Sequence, residues 1–542
     1  MKKLLSLLVA VLLLVTMIPA MAEGEGALAG YVYILHTNDI HGSAVEADGV
    51  WGYAAIAQVK NTLQAMGADV LLVDAGDYSQ GAPIVNLDQG ASAIDFMNAV
   101  GYDLACVGNH EFDWGTDNLL QNAEKAQFPI VCANMLYKVG GETVFGPNAV
   151  FEFGGRKIGI FGLATPETMT KAHPDKVKGV TFLATEELYA CAQAQIDELT
   201  EAGCDIVICV GHLGIADESI GNRSIDVIAN TTGLTMFIDG HSHDLQVDTV
   251  ATAAEGETTV LVQTGTAAGK IGVEVFGPDG YVSTEMFEAT AATKLFVGSD
   301  EYVASIVNDR NDAVNAQLGA AFATTAYTLN GERAPGVRTE ETNLGDFAAD
   351  AILWAARQAY SDEVVASLTN GGGIRATIAE GDITMLDMKT VFPYGNTVAV
   401  LQVTGAELLE ALEAATWSTP DAIGAFPQVS GIVFTIDTSV EYVNGEMYPD
   451  STYYAPANPG SRVTIESVGG EAFDPEAIYT IATNDFTAAG GDTYYAFKYA
   501  YATSGYNTQL AMEDALIMYV QQELGGNVGE AYAAPAGRII IK

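Results

Sequence analysis

Five short apolar runs punctuate the first half of the chain: Tyr31 to Leu35, Val70 to Val73, Leu104 to Val107, Ile206 to Val210 and Met236 to Ile238. Each is too short for a helix and rich in β-branched or aliphatic residues, which is the pattern of a buried strand. Each is followed at once by a polar cluster, read as HTNDIHG, DAGD, GNHEFD, GHLG and GHSH. If the runs lie side by side in one sheet, their carboxyl ends open onto a single edge, the edge where open α/β architectures bind ligands. The period changes further along. Val303, Val307, Val314 and Leu318 recur at helical spacing among polar residues and predict a helix over Glu301 to Leu318. Helices are also expected over Asn343 to Gln358 and Gly405 to Ala415, and Gly537 to Lys542 reads as a final strand. Thr404 and Glu407 have capping-box spacing, so Glu407 is better explained as a helix start than as a catalyst.

The clusters gather metal-ligating types. Asp39, His41, Asp77, Asn109, His212, His241 and His243 offer imidazole nitrogens, carboxylate oxygens and one amide, a set suited to divalent transition ions. None is a cysteine, which argues against a closed structural zinc site. Seven ligands exceed what one four- to six-coordinate ion needs, whereas two ions sharing a bridging carboxylate would use them all. A single Gly-His after a strand is more often a turn glycine beside a surface histidine. A core, however, does not require ligating types at the end of every strand. His36, on the strand side of the first cluster, and His173, in a polar loop, are read as structural.

The order HTNDIHG, GD, GNHEFD, GH, GHSH, followed by NGGGIR, PYGN and DFTAAGGD, resembles the 5'-nucleotidase and UDP-sugar hydrolase family of calcineurin-like metallophosphoesterases, over nearly the whole mature chain. The resemblance implies an α/β fold of the α+β sandwich kind. A four-layer αββα metallophosphoesterase domain would span 27–295, a linker helix 296–322 and a C-terminal α/β nucleotide-binding domain 323–542. It implies one metal held by Asp39, His41, Asp77 and His243 and another by Asp77, Asn109, His212 and His241, with Asp77 as bridge. His110 and Asp113 match the family's catalytic dyad, the imidazole stabilising charge on the phosphoryl group and the carboxylate orienting it. Two divalent ions, zinc, manganese or similar, would activate a water for in-line attack on a nucleoside 5'-phosphate.

For the second domain the resemblance implies substrate contacts from Arg338, Asn370, Arg375, Tyr394, Phe486 and Asp492. The glycines of Asn370 to Arg375 permit close backbone approach, and Arg375 offers a planar fork to phosphate or ribose oxygens. Tyr394 and Phe486 match the aromatic pair between which the family stacks a base, and Asp492 the acid placed by the ribose. Many relatives have phenylalanine where this chain has Tyr394, so the extra hydroxyl could shift base preference. A domain rotation hinged near Glu301 to Leu318 is also implied.

Composition then sets the context. Lys2 and Lys3, the apolar stretch from Leu4 to about Pro19 and Ala20-Met21-Ala22 read as a signal peptide over 1–22 with an A-x-A cleavage site, hence a secreted protein, periplasmic or extracellular. No later segment has eighteen consecutive apolar residues, so no membrane span is expected after cleavage. Net charge is -46. A chain so acidic repels polyanions, which disfavours extended nucleic acid as a partner, while bound divalent ions would still draw a small nucleotide or nucleotide-sugar. The five cysteines suggest no disulfide framework. Three alternatives stand beside the nucleotidase reading: a UDP-sugar hydrolase, a 2',3'-cyclic-nucleotide phosphodiesterase on the same metals, and a surface or adhesion protein that keeps the fold without activity.

Overall fold

The computed structural model describes residues 28–542 apart from positions 154 and 450, so the signal peptide expected over 1–22 lies outside the described residues. The chain divides into two compact units. The first comprises 28–80, 88–166 and 179–311; the second comprises 81–87, 167–178 and 312–542. Two short segments from the metal-motif half of the sequence therefore belong to the second unit, and the expected helix Glu301–Leu318 is shared between the two.

In the first unit the strands run in chain order as β1 (Val32–Thr37), β2 (Asp69–Asp74), β3 (Leu104–Cys106), β4 (Ile130–Val131), β5 (Met135–Tyr137), β6 (Asn148–Phe153), β7 (Arg156–Ala164), β8 (Val180–Phe182), β9 (Ile206–His212), β10 (Met236–Ile238), β11 (Leu245–Thr252), β12 (Thr258–Thr264), β13 (Lys270–Gly277) and β14 (Gly280–Glu288). They form the two sheets that the αββα expectation requires, so the five runs do not all lie side by side. One six-stranded sheet has the order β14-β13-β1-β2-β3-β4 and a second the order β11-β12-β10-β9-β7-β6, with β5 and β8 pairing apart. β1, β2 and β3 are mutually parallel in the first sheet; β7, β9, β10 and β12 are mutually parallel in the second.

The period-2 alternation of these strands makes the sandwich. Val32, Ile34, Leu71, Val73 and Leu104 of the first sheet share one buried core with Ile158, Ile160, Ile206, Ile208, Val210 and Ile238 of the second. On the outer face of the second sheet, Phe161, Val207 and Cys209 pack under Leu188, Ile196 and Leu199 of the helix Glu186–Glu201. Helix Gly52–Ala65 packs on β2 and covers the other side. The result is the four-layer αββα arrangement.

The second unit is built on a five-stranded sheet, ordered Pro427–Ser430, Ala366–Asn370, Ile478–Asn484, Thr397–Thr404, Tyr506–Ala511. Its two faces carry separate cores. Helix Asn343–Ala359 covers one with Phe347 and Ile352 against Val398, Val400 and Ala482. Helix Gly405–Ala415 covers the other with Leu408 and Leu412 against Leu368, Leu401 and Ile481. The predicted cap of that helix is present: Thr404 Oγ1 accepts from Glu407 N at 3.1 Å and Glu407 Oε2 accepts from Thr404 N at 2.8 Å. The C-terminus ends in the strand Ile539–Ile541.

His36 is buried in β1, 3.2 Å from Glu274 Oε1, and His173 lies 4.0 Å from Asp485. All five cysteines are unbonded. Among the described residues no helix is long and apolar enough to cross a membrane.

Candidate metal and nucleotide sites

Every candidate ligand in the first unit lies at or just beyond the carboxyl end of a parallel strand. Asp39 and His41 come two and four residues after β1, Asp77 three after β2, and Asn109 with His110 after β3; His212 ends β9, and His241 and His243 follow β10. The motifs belong to two sheets, yet their side chains converge. Asp39 Oδ1 lies 3.2 Å from His243 Nε2, 3.9 Å from His41 Nε2 and 4.0 Å from His212 Nε2. Asp77 Oδ2 is 3.1 Å from His212 Nε2 and 3.8 Å from His41 Nε2. Asn109 Oδ1 is 2.9 Å from His241 Nδ1 and 3.2 Å from His212 Nε2. Two groups of three have the spacing of a metal site: Asp39 with His41 and His243, and Asp39 with Asp77 and His212. Asp39 thus reaches both groups, and Asp77, the bridge that the resemblance implies, also lies 3.8 Å from His41 of the first group.

Backbone geometry shows how tightly the rim is defined. Asp39, His41, Asp77, His241 and His243 all have positive φ, between 47° and 76°, where non-glycine residues are uncommon. Such conformations persist only where surrounding bonds over-determine them. Here Asp39 N donates to Gly76 O at 2.9 Å and His41 N to Asp77 O at 3.1 Å, so the loops after β1 and β2 hold one another. His241 N donates to Asp39 Oδ2 at 3.0 Å. The tight glycines serve the same approach: a Cβ on Gly108 would fall 2.3 Å from Asp77 Oδ1.

These donors fit divalent cations. His212 Nδ1 donates to Ala75 O at 2.7 Å and His41 Nδ1 faces Gln80 Oε1 at 3.2 Å, which turns both Nε2 lone pairs toward the carboxylates. Burial would lower the His212 imidazole, but Asp77 and Asp39 outweigh it and raise it to about 10. Burial would raise Asp77, yet the His212, His110 and His41 imidazoles hold it well below the carboxylate range. Asp39 is held at about 2 against the same burial, chiefly by His243 and His212. A nest of anionic and lone-pair groups that so strongly favours a positive charge is what a cation site requires.

Beside it, His110 Nδ1 lies 2.9 Å from Asp113 Oδ2, and His110 N donates to Asp77 Oδ1 at 2.8 Å. His110 opens the short 3-10 turn His110–Phe112 and Asp113 follows it.

Sequence reasoning missed the residues that brace this rim. Glu111, buried between the dyad residues, accepts from Asp77 N at 2.9 Å, Tyr78 N at 3.0 Å, Ser79 N at 3.1 Å, Ser79 Oγ at 3.0 Å and Gly108 N at 2.7 Å. Asn38 joins Asp39 Oδ2 at 2.7 Å to Thr264, which donates its amide to Asn38 Oδ1 at 2.9 Å. Asp239 Oδ1 accepts from Leu213 N, Gly214 N and Gly240 N, tying the GHLG and GHSH loops together. All three lie inside or beside the quoted motifs. Their signal was a carboxylate or amide next to a ligand in a segment otherwise apolar.

In the second unit, Asn370 Nδ2 donates to Asp492 Oδ2 at 3.0 Å. Asp492 has φ 50° and its backbone N–H donates to Thr170 O at 3.1 Å. Arg338 and Asp492 flank Gly424, where a Cβ would sit 3.9 Å from Arg338 Nη1 and 3.7 Å from Asp492 Oδ2. In the glycine loop, Gly371 N and Gly372 N donate to Phe426 O and Gly424 O, each at 2.7 Å. A Cβ on Gly371 would be 1.9 Å from Val337 O, so only glycine fits. The Arg375 guanidinium lies 5.8 Å from the Tyr394 ring centroid. Tyr394 borders a small cavity with Thr369, Phe392, Asn396, Asn484 and Met512. Phe486 lies on the short helix Asp485–Ala488, its ring against Gly491, where a Cβ would come within 2.3 Å.

A two-sheet sandwich that delivers aspartates, histidines and an asparagine to one rim defines a metallophosphoesterase, and the calcineurin-like phosphoesterase family matches residues 32–245. The 5'-nucleotidase C-terminal domain matches residues 320–499. The chain is 30% identical over 514 residues to the trifunctional nucleotide phosphoesterase protein YfkN of Bacillus subtilis, covering 86% of this chain and 32% of that protein, about a third of its length. It is 27% identical over 558 residues to a 5'-nucleotidase of Vibrio cholerae, covering 94% of this chain and 93% of the relative. The crystal structure of a 5'-nucleotidase precursor from Thermus thermophilus superposes with a TM-score of 0.78 at 27% identity, covering 94% of this chain and 99% of that one. The chain belongs to the 5'-nucleotidase family, with an N-terminal calcineurin-like phosphoesterase domain and a C-terminal 5'-nucleotidase domain, and is a metallophosphoesterase hydrolase.

Proposed function

We propose that this protein is an exported 5'-nucleotidase that releases phosphate from nucleoside 5'-phosphates. The observation that carries the reading is the convergence of Asp39, His41, Asp77, Asn109, His212, His241 and His243 from two sheets onto one rim, with the His110–Asp113 pair beside it. Asp39, His41, Asp77 and His243 would hold one divalent ion, and Asp77, Asn109, His212 and His241 the other. When bound, such ions supply Lewis acidity toward phosphoryl oxygens and acidify water.

The chain's own groups do the rest. Asp113 fixes the His110 ring through Nδ1, so that His110 Nε2 can donate a proton or hydrogen bond to the phosphoryl group as charge develops. Asp77, receiving the His110 amide, couples the position of that ring to the ligand rim. In the second unit Tyr394 and Phe486 would receive the base, Asn370 and Asp492 the ribose, and Arg338 and Arg375 the phosphate. The export reading rests on the leader pattern over residues 1–22.

Phosphate release from AMP, UDP-glucose and 2',3'-cyclic AMP, with zinc, manganese, cobalt or magnesium, tests the reading. AMP is expected to be hydrolysed fastest, and EDTA should abolish turnover until metal is restored. His110→Ala should keep its metal and lose about 100- to 1000-fold in kcat. Full activity in that variant, or turnover indifferent to chelation, would defeat the proposal. A broader reading, with more than one class of nucleotide ester as substrate, is supported by the similarity to a Bacillus relative named as a trifunctional nucleotide phosphoesterase. Faster release from UDP-glucose or cyclic AMP than from AMP would favour it.

A further inference from the structure

One buried amide in the second unit joins elements that the nucleotidase reading treats separately. Asn484 is 1% exposed and stands where strand Ile478–Asn484 gives way to helix Asp485–Ala488. Its Oδ1 accepts from Thr487 N at 2.8 Å and so caps the helix that carries Phe486. That bond fixes which way the amide points, because a backbone N–H can only donate. Its Nδ2 therefore faces the other way, donating to Asn370 Oδ1 at 3.0 Å and to Thr369 Oγ1 at 3.1 Å. Asn370 Oδ1 being occupied by a donor, Asn370 Nδ2 is turned toward Asp492 Oδ2, which it meets at 3.0 Å. If the Asn370 amide flipped, it would set its NH2 against that of Asn484 and its carbonyl oxygen against the Asp492 carboxylate. The chain of orientations thus starts at the cap and ends at the acid.

We propose that Asn484 is a positioning residue for nucleoside recognition, a single amide that sets the Phe486 helix and the Asn370–Asp492 pair in register with one another. The inference rests on the nucleotidase reading of those residues. Asn484 acts through them; it also walls the small cavity beside Tyr394. Substrates without a nucleoside are indifferent to that register, whereas nucleotides depend on it.

Asn484→Ser separates the two bonds, since serine caps a helix well but is too short to reach Asn370. The measurement is the ratio of kcat/KM for AMP to kcat/KM for p-nitrophenyl phosphate, in the full-length, metal-loaded protein. The ratio should fall on the order of tenfold, mainly through KM, as expected for one lost buried hydrogen bond. Adenosine affinity measured by calorimetry should fall by the same factor. An equal fall on both substrates, or an unchanged ratio, overturns the proposal. If the serine variant does not fold, Asn484→Asp, which keeps the capping oxygen and removes the donor, carries the same expectation. A wild-type enzyme with no preference for AMP over p-nitrophenyl phosphate would instead defeat the nucleotidase reading itself.

Discussion

Glu111 has no place in the candidate ligand set or in the dyad, yet it is the most heavily bonded carboxylate at the rim. Five donors from two loops end on its two oxygens. Burial, then the nearby Asp77 charge, raises its carboxyl, while the Asp77 and Ser79 backbone N–H groups pull the other way. Glu111→Gln keeps the shape and swaps one acceptor for a donor that must face backbone N–H groups. The swap should cost about 3 kcal/mol of stability by the usual scale for bonds to a charged group. Because Asp77 N is one of the five donors, purified Glu111→Gln should also carry less metal at equal loading. Urea denaturation and elemental analysis check both; wild-type values in each would show that Asp77 does not depend on this brace. The ligating types were legible in the sequence because such clusters recur after five apolar runs and their shared chemistry is specific. The bracing types were not, since glutamate, asparagine and aspartate in loops have many ordinary uses.

Among the elements, the helices were legible because their evidence is local. The spacing of Val303, Val307, Val314 and Leu318 matches the observed helix Glu301–Leu318, in which all four are buried. The Thr404–Glu407 pair marks a start that is found at that residue. Thr404→Ala should destabilise this first turn by about 1 kcal/mol. Hydrogen exchange of the amides over 405–408 should then quicken about fivefold, and unchanged protection there would refute the cap's contribution. The strands were legible one by one but not in their grouping. A buried run such as Ile206–Val210 looks the same whichever sheet takes it, because only partners distant in sequence decide. The two-sheet sandwich was expected from the family resemblance rather than from the runs themselves, and in it β9 and β10 face β1, β2 and β3 across the core. Nor does any change of composition mark 81–87 and 167–178 as members of the second unit. Their attachment rests on bonds such as Asn86 Nδ2 to Pro393 O and Asp492 N to Thr170 O.

For the molecule as a whole, part of the excess of acid over base gathers around Arg538. Arg538, just before the last strand, meets Asp350 at 2.8 Å and Asp346 at 3.5 Å, while Glu341 accepts from Arg538 N and Ile539 N. Two carboxylates share one guanidinium, and a third takes the backbone N–H groups beside it. Burial, and then Glu341 against the opposing pull of Arg538, lifts Asp346 to about 7. The folded protein therefore holds a proton that the unfolded chain releases at about 4. Between those values the unfolded state binds fewer protons, so stability falls as pH rises from about 4 to about 7 and levels off above. Asp346→Asn removes the titration and should show a shallower fall in its unfolding midpoint between about pH 4.5 and 7.5. Parallel curves for the two proteins would show that Asp346 does not carry the effect.

The left-handed residues at the rim have a consequence of another kind. Glycine at Asp39, His41, Asp77, His241 or His243 would relax the main chain while deleting a ligand, so at these sites the replacements easiest on the backbone are the ones that silence the enzyme. A lineage released from selection on hydrolysis would be expected to gather glycines there first. Inactive descendants of this protein should be recognisable by a rim that has gone slack while the sandwich beneath it stays intact.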